Sequence, residues 1–416
     1  MLKKINQLRN QIVFKNYLYL LVIQGSNVLL PLISFPYLVR VLGTTNYGIV
    51  MMAHSLSIFL GIIVDFGFNI SATREVAVLK DDKKMLSKYY TNILFIKTFL
   101  ILISFTILLF IVTFVYKINV YKEVYLLSFG VVIGQALFPT WFFQGIEKMK
   151  VITIINLLSK IIFTILIFVF IKNESDYLLT PIFNGLGFIL SGLLGFLISL
   201  KYVYISKPNF NSIIKICKES FSLFTSNVFV SLYTSLNTLI LGLFTTESLA
   251  GIYVSMEKLI LAIKSVYSPL YQAIFPNIVN KKHSQILNYV NKLIIPILFS
   301  GIVIMIFVIL FAQKILEVIF NNELITSYYV ILQILASIAV FSSLNMLYVT
   351  LLLPALKKYN RRLKILVLGG LVNIIIIMPL IKLYSIYGVA ISASFTEFFL
   401  LFLSLIGFQK LKKNKN

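Results

Sequence analysis

Seven ionisable side chains stand inside stretches that are otherwise apolar: Lys97, Lys160, Lys258, Lys264, Asp65, Glu257 and Glu397. A charge at the centre of a hydrocarbon layer costs on the order of 2.5–3.5 kcal/mol on insertion scales, so such residues usually face a bundle interior or a wet cavity. Four ammonium groups against three carboxylates make that interior polar and slightly positive. Lys97 and Lys160 lie about eight or nine residues in from one end of their stretches, and Asp65 lies near the end of its own on the same side. A positive patch there suits an anionic cargo arriving from that side. The competing reading is that both lysines snorkel to lipid headgroups and that Asp65 pairs with Arg74 or a nearby lysine. Glu257 and Lys258 are neighbours in sequence, about 100° apart on a helix, so at most one can point fully into a shared cavity. Titration of a group in such a cavity changes the relative energy of two access states; Asp65, Glu257, Glu397 and His54 are the candidates for coupling to an ion gradient.

The elements that must position these groups are apolar segments of bilayer length. A span needs about 20 apolar residues, and the 416 residues are 59% hydrophobic and 12% charged with mean hydropathy +0.95. The reading is an all-α polytopic membrane protein with about twelve transmembrane helices, near 14–39, 47–70, 90–115, 124–144, 151–171, 177–203, 220–241, 250–277, 289–312, 326–353, 364–381 and 387–408. Lysine and arginine alternate between the connections: 27 of 37 fall in every second one and the two tails, 6 in the others. Basic residues accumulate on the inner side, so both termini are expected in the cytoplasm.

The net charge of +23 is therefore a topology signal, and nucleic acid is not an expected partner. The single cysteine, Cys217, excludes a disulfide framework, and His54 and His283 are too isolated for a metal site. No cofactor is expected, and no Gly-rich Lys loop for nucleotide binding is present. The first span has no cleavage site behind it and is read as retained. Pro31 and Pro36 interrupt its hydrogen bonding and make it a candidate hinge. Trp141, with Phe142 and Phe143, is expected as an interfacial aromatic anchor.

An internal repeat is legible. Ser26-Asn27-Val28 matches Ser226-Asn227-Val228, and Gly43-Thr44-Thr45-Asn46-Tyr47-Gly48-Ile49 resembles the segment from Leu243 to Ile252. Two six-helix lobes follow, residues 1–203 and 220–416, with 204–219 as a cytoplasmic linker. An even number of spans per lobe places their pseudo-twofold along the membrane normal. Aligning Gly48 with Gly251 sets His54 opposite Glu257 and Ser55 opposite Lys258.

The segment from Pro36 to Gly48, Asp65-Phe66-Gly67-Phe68 followed by Ser71-Ala72-Thr73-Arg74-Glu75, and the segment from Phe138 to Met149 closely resemble motifs of the Wzx-type polysaccharide flippases of the MOP exporter superfamily. Tyr253 to Leu259 looks like that family's eighth span. The resemblance implies a flippase of O-antigen or capsule repeat units in the bacterial cytoplasmic membrane. Its cargo would be an undecaprenyl-diphosphate-linked oligosaccharide, moved to the outer leaflet by alternating access. Membrane lipids, a polysaccharide polymerase and other assembly proteins would be partners. Arg40 and Arg74, inside the matched motifs, join Lys97, Lys160, Lys258 and Lys264 as candidate substrate contacts. MATE-type efflux of cationic drugs is the alternative, disfavoured by the excess of cations. A membrane polymerase or glycosyltransferase would be expected to carry a larger catalytic loop than any connection here offers.

Overall fold

The computed structural model describes residues 2–278 and 281–413, without the side chains of 2–21, 23, 27, 269, 272, 273, 276, 277, 412 and 413. The side chains of Lys3, Lys4, Arg9 and Lys15 in the basic N-terminal tail, of Asn27 in the repeat, of Pro269 and Pro276, and of Lys412, Lys413 and Lys415 thus lie outside the described residues. Every regular element among the described residues is helical. By contacts the chain falls into two compact units, Met1–Ser34 with Ala53–Val228, and Phe35–Met52 with Phe229–Asn416. The first boundary crosses a helix between Pro31 and Pro36.

Helix α1 (Leu2–Asp65) runs through both prolines and leaves helical geometry at Gly43, with φ 72° and ψ 166°. Only glycine adopts that conformation without a steric penalty, so the reversal between the first two spans sits at Gly43, inside the gap 40–46 that the expected spans leave. At the other end Phe66 and Gly67 both take positive φ and α2 (Phe68–Leu79) turns away. A side chain at Gly67 would also lie 2.8 Å from Leu223 Cβ, so glycine is required there twice over.

In the first unit α3 (Lys83–Phe114) starts at Asp82, whose carboxylate accepts from the N–H groups of Lys84 and Met85. After the short α4 (Tyr116–Asn119), α5 (Lys122–Leu137) is followed by Phe138-Pro139, which breaks the helix and sets α6 (Thr140–Gly145) against α2. Trp141 is consequently 1% exposed, among Tyr90, Phe142 and Phe143. It is a core residue of this unit; the expected interfacial anchor is not found. Helix α7 (Met149–Phe170) leads through a 3-10 turn to α8 (Leu179–Ser199). Gly130 of α5 meets Gly185 of α8, and Gly134 meets the backbone of Phe188 and Ile189. Small residues four apart let two apolar helices approach backbone to backbone, which is where dispersion contacts accumulate in lipid.

The stretch expected as a linker is structured. Tyr204, Ser206 and Asn209 donate their backbone N–H groups to Ser87 Oγ, Thr91 Oγ1 and Asn92 Oδ1 of α3, at 2.9–3.2 Å. From Phe210 the chain is already α9 (Phe210–Thr234), whose residues to Val228 belong to the first unit. Backbone donors outside regular structure need acceptors, and the polar side chains of α3 supply them.

The second unit continues with α10 (Asn237–Phe244), bent by 48° from α9, then α11 (Glu247–Ser265) and α12 (Tyr267–Ile278). It is completed by α13 (His283–Phe320), α14 (Glu323–Ser327), α15 (Tyr329–Ala336), α16 (Ile338–Met346), a π-helical turn at Leu347–Leu352, α17 (Leu353–Ala355) and α18 (Tyr359–Lys413). Helix α18 leaves helical geometry at Ser385, with φ 51° and ψ −129°.

Residues 35–52 and α11 make a reciprocal contact within this unit. A methyl group at Gly48 would collide with the carbonyl oxygen of Glu247, and one at Gly251 would collide with that of Thr44. Both glycines, and both carbonyl residues, are related by the same offset of 203 positions. When residue i meets j′ and j meets i′, the two segments are related by a twofold; the repeat seen in sequence is realised as a pseudo-symmetric crossing. The Thr44 and Ser248 hydroxyls lie 2.7 Å apart across it.

Among the described residues eight helices are long and apolar enough to cross a membrane, or nine if α9 and α10 form one broken span. The number falls short of twelve because Gln24–Leu79 and Tyr359–Leu411, of 56 and 53 residues, each exceed one crossing of about 20 residues. Helix α11 also carries Glu257, Lys258 and Lys264 and does not register as apolar.

Candidate functional site

The buried charges fall into one cluster in each unit. In the first, Asp65 at the end of α1 receives the backbone N–H groups of Gly67 and Asn69, and its charge acts on that of Lys97. Its Oδ1 is buried without a hydrogen-bond partner among the described residues. Lys97 is 5% exposed on α3, so it does not snorkel; burial without Asp65 would leave an uncompensated ammonium. Arg74, the other partner considered for Asp65, is exposed on α2. Lys160 is half-buried on α7, and His54 is half-buried in the second span of the same unit.

The second cluster is larger and entirely within the second unit. Glu257 and Lys264, seven residues apart, lie two turns apart on one face of α11, with Tyr253 a turn before. Tyr253 donates to Glu257 Oε1 at 3.2 Å, and Thr238 of α10 donates to Oε2 at 3.4 Å. Lys264 Nζ lies 2.5 Å from Glu397 Oε1 of α18, with side chains 24% and 6% exposed. Asn345 of α16 donates to Glu397 Oε2 at 3.3 Å and accepts from Ser404 at 3.1 Å. The charge of Lys258, and more weakly that of Lys264, also acts on Glu257. Lys258 points another way, with its ammonium 3.7 Å from the centroid of the Phe35 ring, a cation–π contact. The two neighbours divide as the 100° step requires: Glu257 faces α10, Lys258 faces the segment 35–52.

Arg40 is placed at the end of α13, where Nε and an Nη donate to the carbonyls of Phe320 and Ile319 at 2.8 and 2.5 Å. It satisfies carbonyls that a helix C-terminus leaves open. Among the described residues no group of three or more His, Cys, Asp and Glu is disposed to hold a metal ion. The sequence reading missed Tyr253, Thr238 and Asn345. The spacing of Tyr253 to Glu257 was a readable signal; Thr238 and Asn345 come from other helices and carried none.

A helical fold of this size, with eight or nine apolar helices of bilayer length among the described residues and charges buried inside each of two units, is that of a multi-pass membrane protein. The chain is similar to the lipid II flippase MurJ in an inward closed conformation, with TM-score 0.72 and 15% identity over 95% of this chain and 90% of that one. It is also similar to an inward-facing multidrug resistance transporter of the MATE family, with TM-score 0.68 and 14% identity over 92% and 97%. At such identities the likeness is one of fold. The chain belongs to the polysaccharide biosynthesis protein family, whose model matches residues 13–281, in keeping with its resemblance to Wzx-type flippases. It is 27% identical over 394 residues to a protein of Escherichia coli (strain K12) named "Putative O-antigen transporter", covering 92% of this chain and 93% of that one. A protein of Shigella dysenteriae with the same name is 27% identical over 387 residues, covering 92% and 96%.

Proposed function

We propose that this chain is a flippase, not an enzyme, that carries undecaprenyl-diphosphate-linked oligosaccharide repeat units from the cytoplasmic to the outer leaflet of the bacterial inner membrane. The observation that carries the reading is the family match over residues 13–281, supported by relatives named for O-antigen transport. Both termini are cytoplasmic in this reading, on the strength of the lysine and arginine bias. Counting the two folded elements as two spans each and admitting α11 with α12 brings the spans to twelve. They divide into six-span lobes, residues 1–203 and 220–416, with Pro31 and Pro36 at the hinge where one compact unit gives way to the other.

Protons drive the exchange of access states. A metal cation needs several ligands, and among the described residues no group of three or more His, Cys, Asp and Glu is disposed to supply them, whereas a proton needs a single carboxylate. Lys258 and Lys160 face the diphosphate or sugars; Lys97 acts with Asp65. A polymerase receives the product on the outer side.

Deletion in the native host followed by analysis of lipid-linked intermediates tests the reading. Complete repeat units should accumulate on the cytoplasmic side. Units lacking a sugar would point to a glycosyltransferase, and normal intermediates would end the transport reading.

A further inference from the structure

Three connections at the cytoplasm-assigned end of the first unit line an open pocket of about 400 Å³ that includes none of the buried charges described above. Its wall carries Lys80 at the end of α2, Lys83 in the first turn of α3 and Lys148 at the start of α7, against one carboxylate, Asp81. Asp82 next to it is already engaged as the cap of α3. Glu147 is engaged with Lys80 at 3.1 Å, an exposed pair that exchanges readily with a better anion. The floor is apolar: Leu86, Ile146 and the ring of Tyr202.

The walls are held firmly. Gly145 packs so closely on Val76 and Thr73 that a side chain there would clash, which clamps α6 to α2. Glu147 takes positive φ, and the N–H of Lys148 donates to the carbonyl of Phe143 at 2.8 Å, so the turn presenting Lys148 is closed by its own backbone.

We propose that this pocket is a docking site for a phosphate-bearing headgroup. Lys83 and Lys148, with Lys80 shared with Glu147, outweigh Asp81 and favour an anion, and the volume lies at the lower end of the range of small-molecule sites. The apolar floor suits a group whose tail continues into the bilayer. The headgroup could be the diphosphate of a polyprenyl carrier or the phosphate of a membrane lipid; its chemistry is the same. The inference rests on the proposed orientation for its cellular side, but not for binding itself.

The test uses the full chain in nanodiscs of phosphatidylcholine, with farnesyl diphosphate, dioctanoyl phosphatidic acid and inorganic phosphate as separate probes. The double variant Lys83→Ala/Lys148→Ala should bind at least tenfold more weakly than the unsubstituted protein, Lys83→Arg/Lys148→Arg should retain most of the affinity, and Lys122→Ala should match the original. Preference for farnesyl diphosphate assigns the site to the carrier, equal binding of both lipids assigns it to phosphorylated lipids in general, and equal binding of inorganic phosphate assigns it to the free anion. No binding of any probe, or unchanged affinity in the double alanine variant, overturns the proposal. Normal lipid-linked intermediates in a deletion strain would end the flippase reading and leave this result standing.

Discussion

Removing one partner of the Lys264–Glu397 pair should be among the most destabilising single changes in the second unit. The ammonium and carboxylate are 2.5 Å apart and Glu397 is almost fully covered, with Asn345 on its second oxygen. Breaking a buried pair by deleting one charge costs about 3–5 kcal/mol, because the remaining charge stays desolvated without compensation. Lys264→Met and Glu397→Leu should each cost that much, while the double variant should recover most of it, since an apolar pair of similar volume is close to neutral. The exposed Lys314–Glu317 pair, 3.1 Å apart with side chains 66% and 56% exposed, is the internal control and should yield about 0–1 kcal/mol. A double-mutant cycle in reversible denaturant unfolding measures both. If the Lys264 and Glu397 single variants cost no more than the control, or the double variant costs the sum of its parts, the pair is not desolvated and the buried network is misassigned.

Leucine at Gly48 or Gly251 would meet backbone at the pseudo-symmetric crossing and should abolish accumulation of folded protein, whereas leucine at Gly25, which has open space around it, should be tolerated; membrane abundance reads both. Arg40→Ala should destabilise by about 1.5–3 kcal/mol, the range for hydrogen bonds from a charged donor, and Arg40→Lys should restore only part; full stability with lost export would instead make Arg40 a substrate contact. Glu257→Gln should flatten the pH dependence of flipping in proteoliposomes while flipping persists without sodium; a sodium requirement would refute proton coupling. Single cysteines at the exposed Glu323 and Asn360, in a Cys217→Ser background, should react with an impermeant thiol reagent on intact cells at 323 and not at 360, and the reverse would sink the orientation.

The fold class was legible because its signals are local. Apolar length, basic-residue bias and the repeat are each read without knowing which helices touch, and the Gly48–Gly251 alignment gave the register of a contact that the structure then closes. Two of the reversals were legible for the same reason. Gly43 and Ser385 turn the chain inside 40–46 and 382–386, the gaps left between expected spans, where Arg40, Asn46, Lys382 and Tyr384 interrupt the apolar run. Trp141 was misplaced because aromatic clusters at span ends look alike whether they face lipid or fold inward, and the turn at Phe138-Pro139 decided which.

The candidate site divides along the same line. That seven charges needed partners followed from the cost of burying them; which partners they take depends on interhelical packing that a single chain of letters does not encode. Lys264 and Glu397 are 133 positions apart, and the charge of Asp65 acts on that of Lys97, while α2 turns the nearer Arg74 to the surface. Pairing also changes what the charges can do. Lys264 and Lys97 each have a carboxylate to answer, and Arg40 answers helix carbonyls, so less fixed positive charge is available to a diphosphate than four intramembrane lysines and two arginines suggest. A transporter built this way need not hold its cargo by permanent attraction. Under the proposed proton coupling, protonation of Glu397 would free the ammonium of Lys264 for the cargo in one access state and withdraw it in the other, linking proton flow to cargo affinity through one pair of side chains.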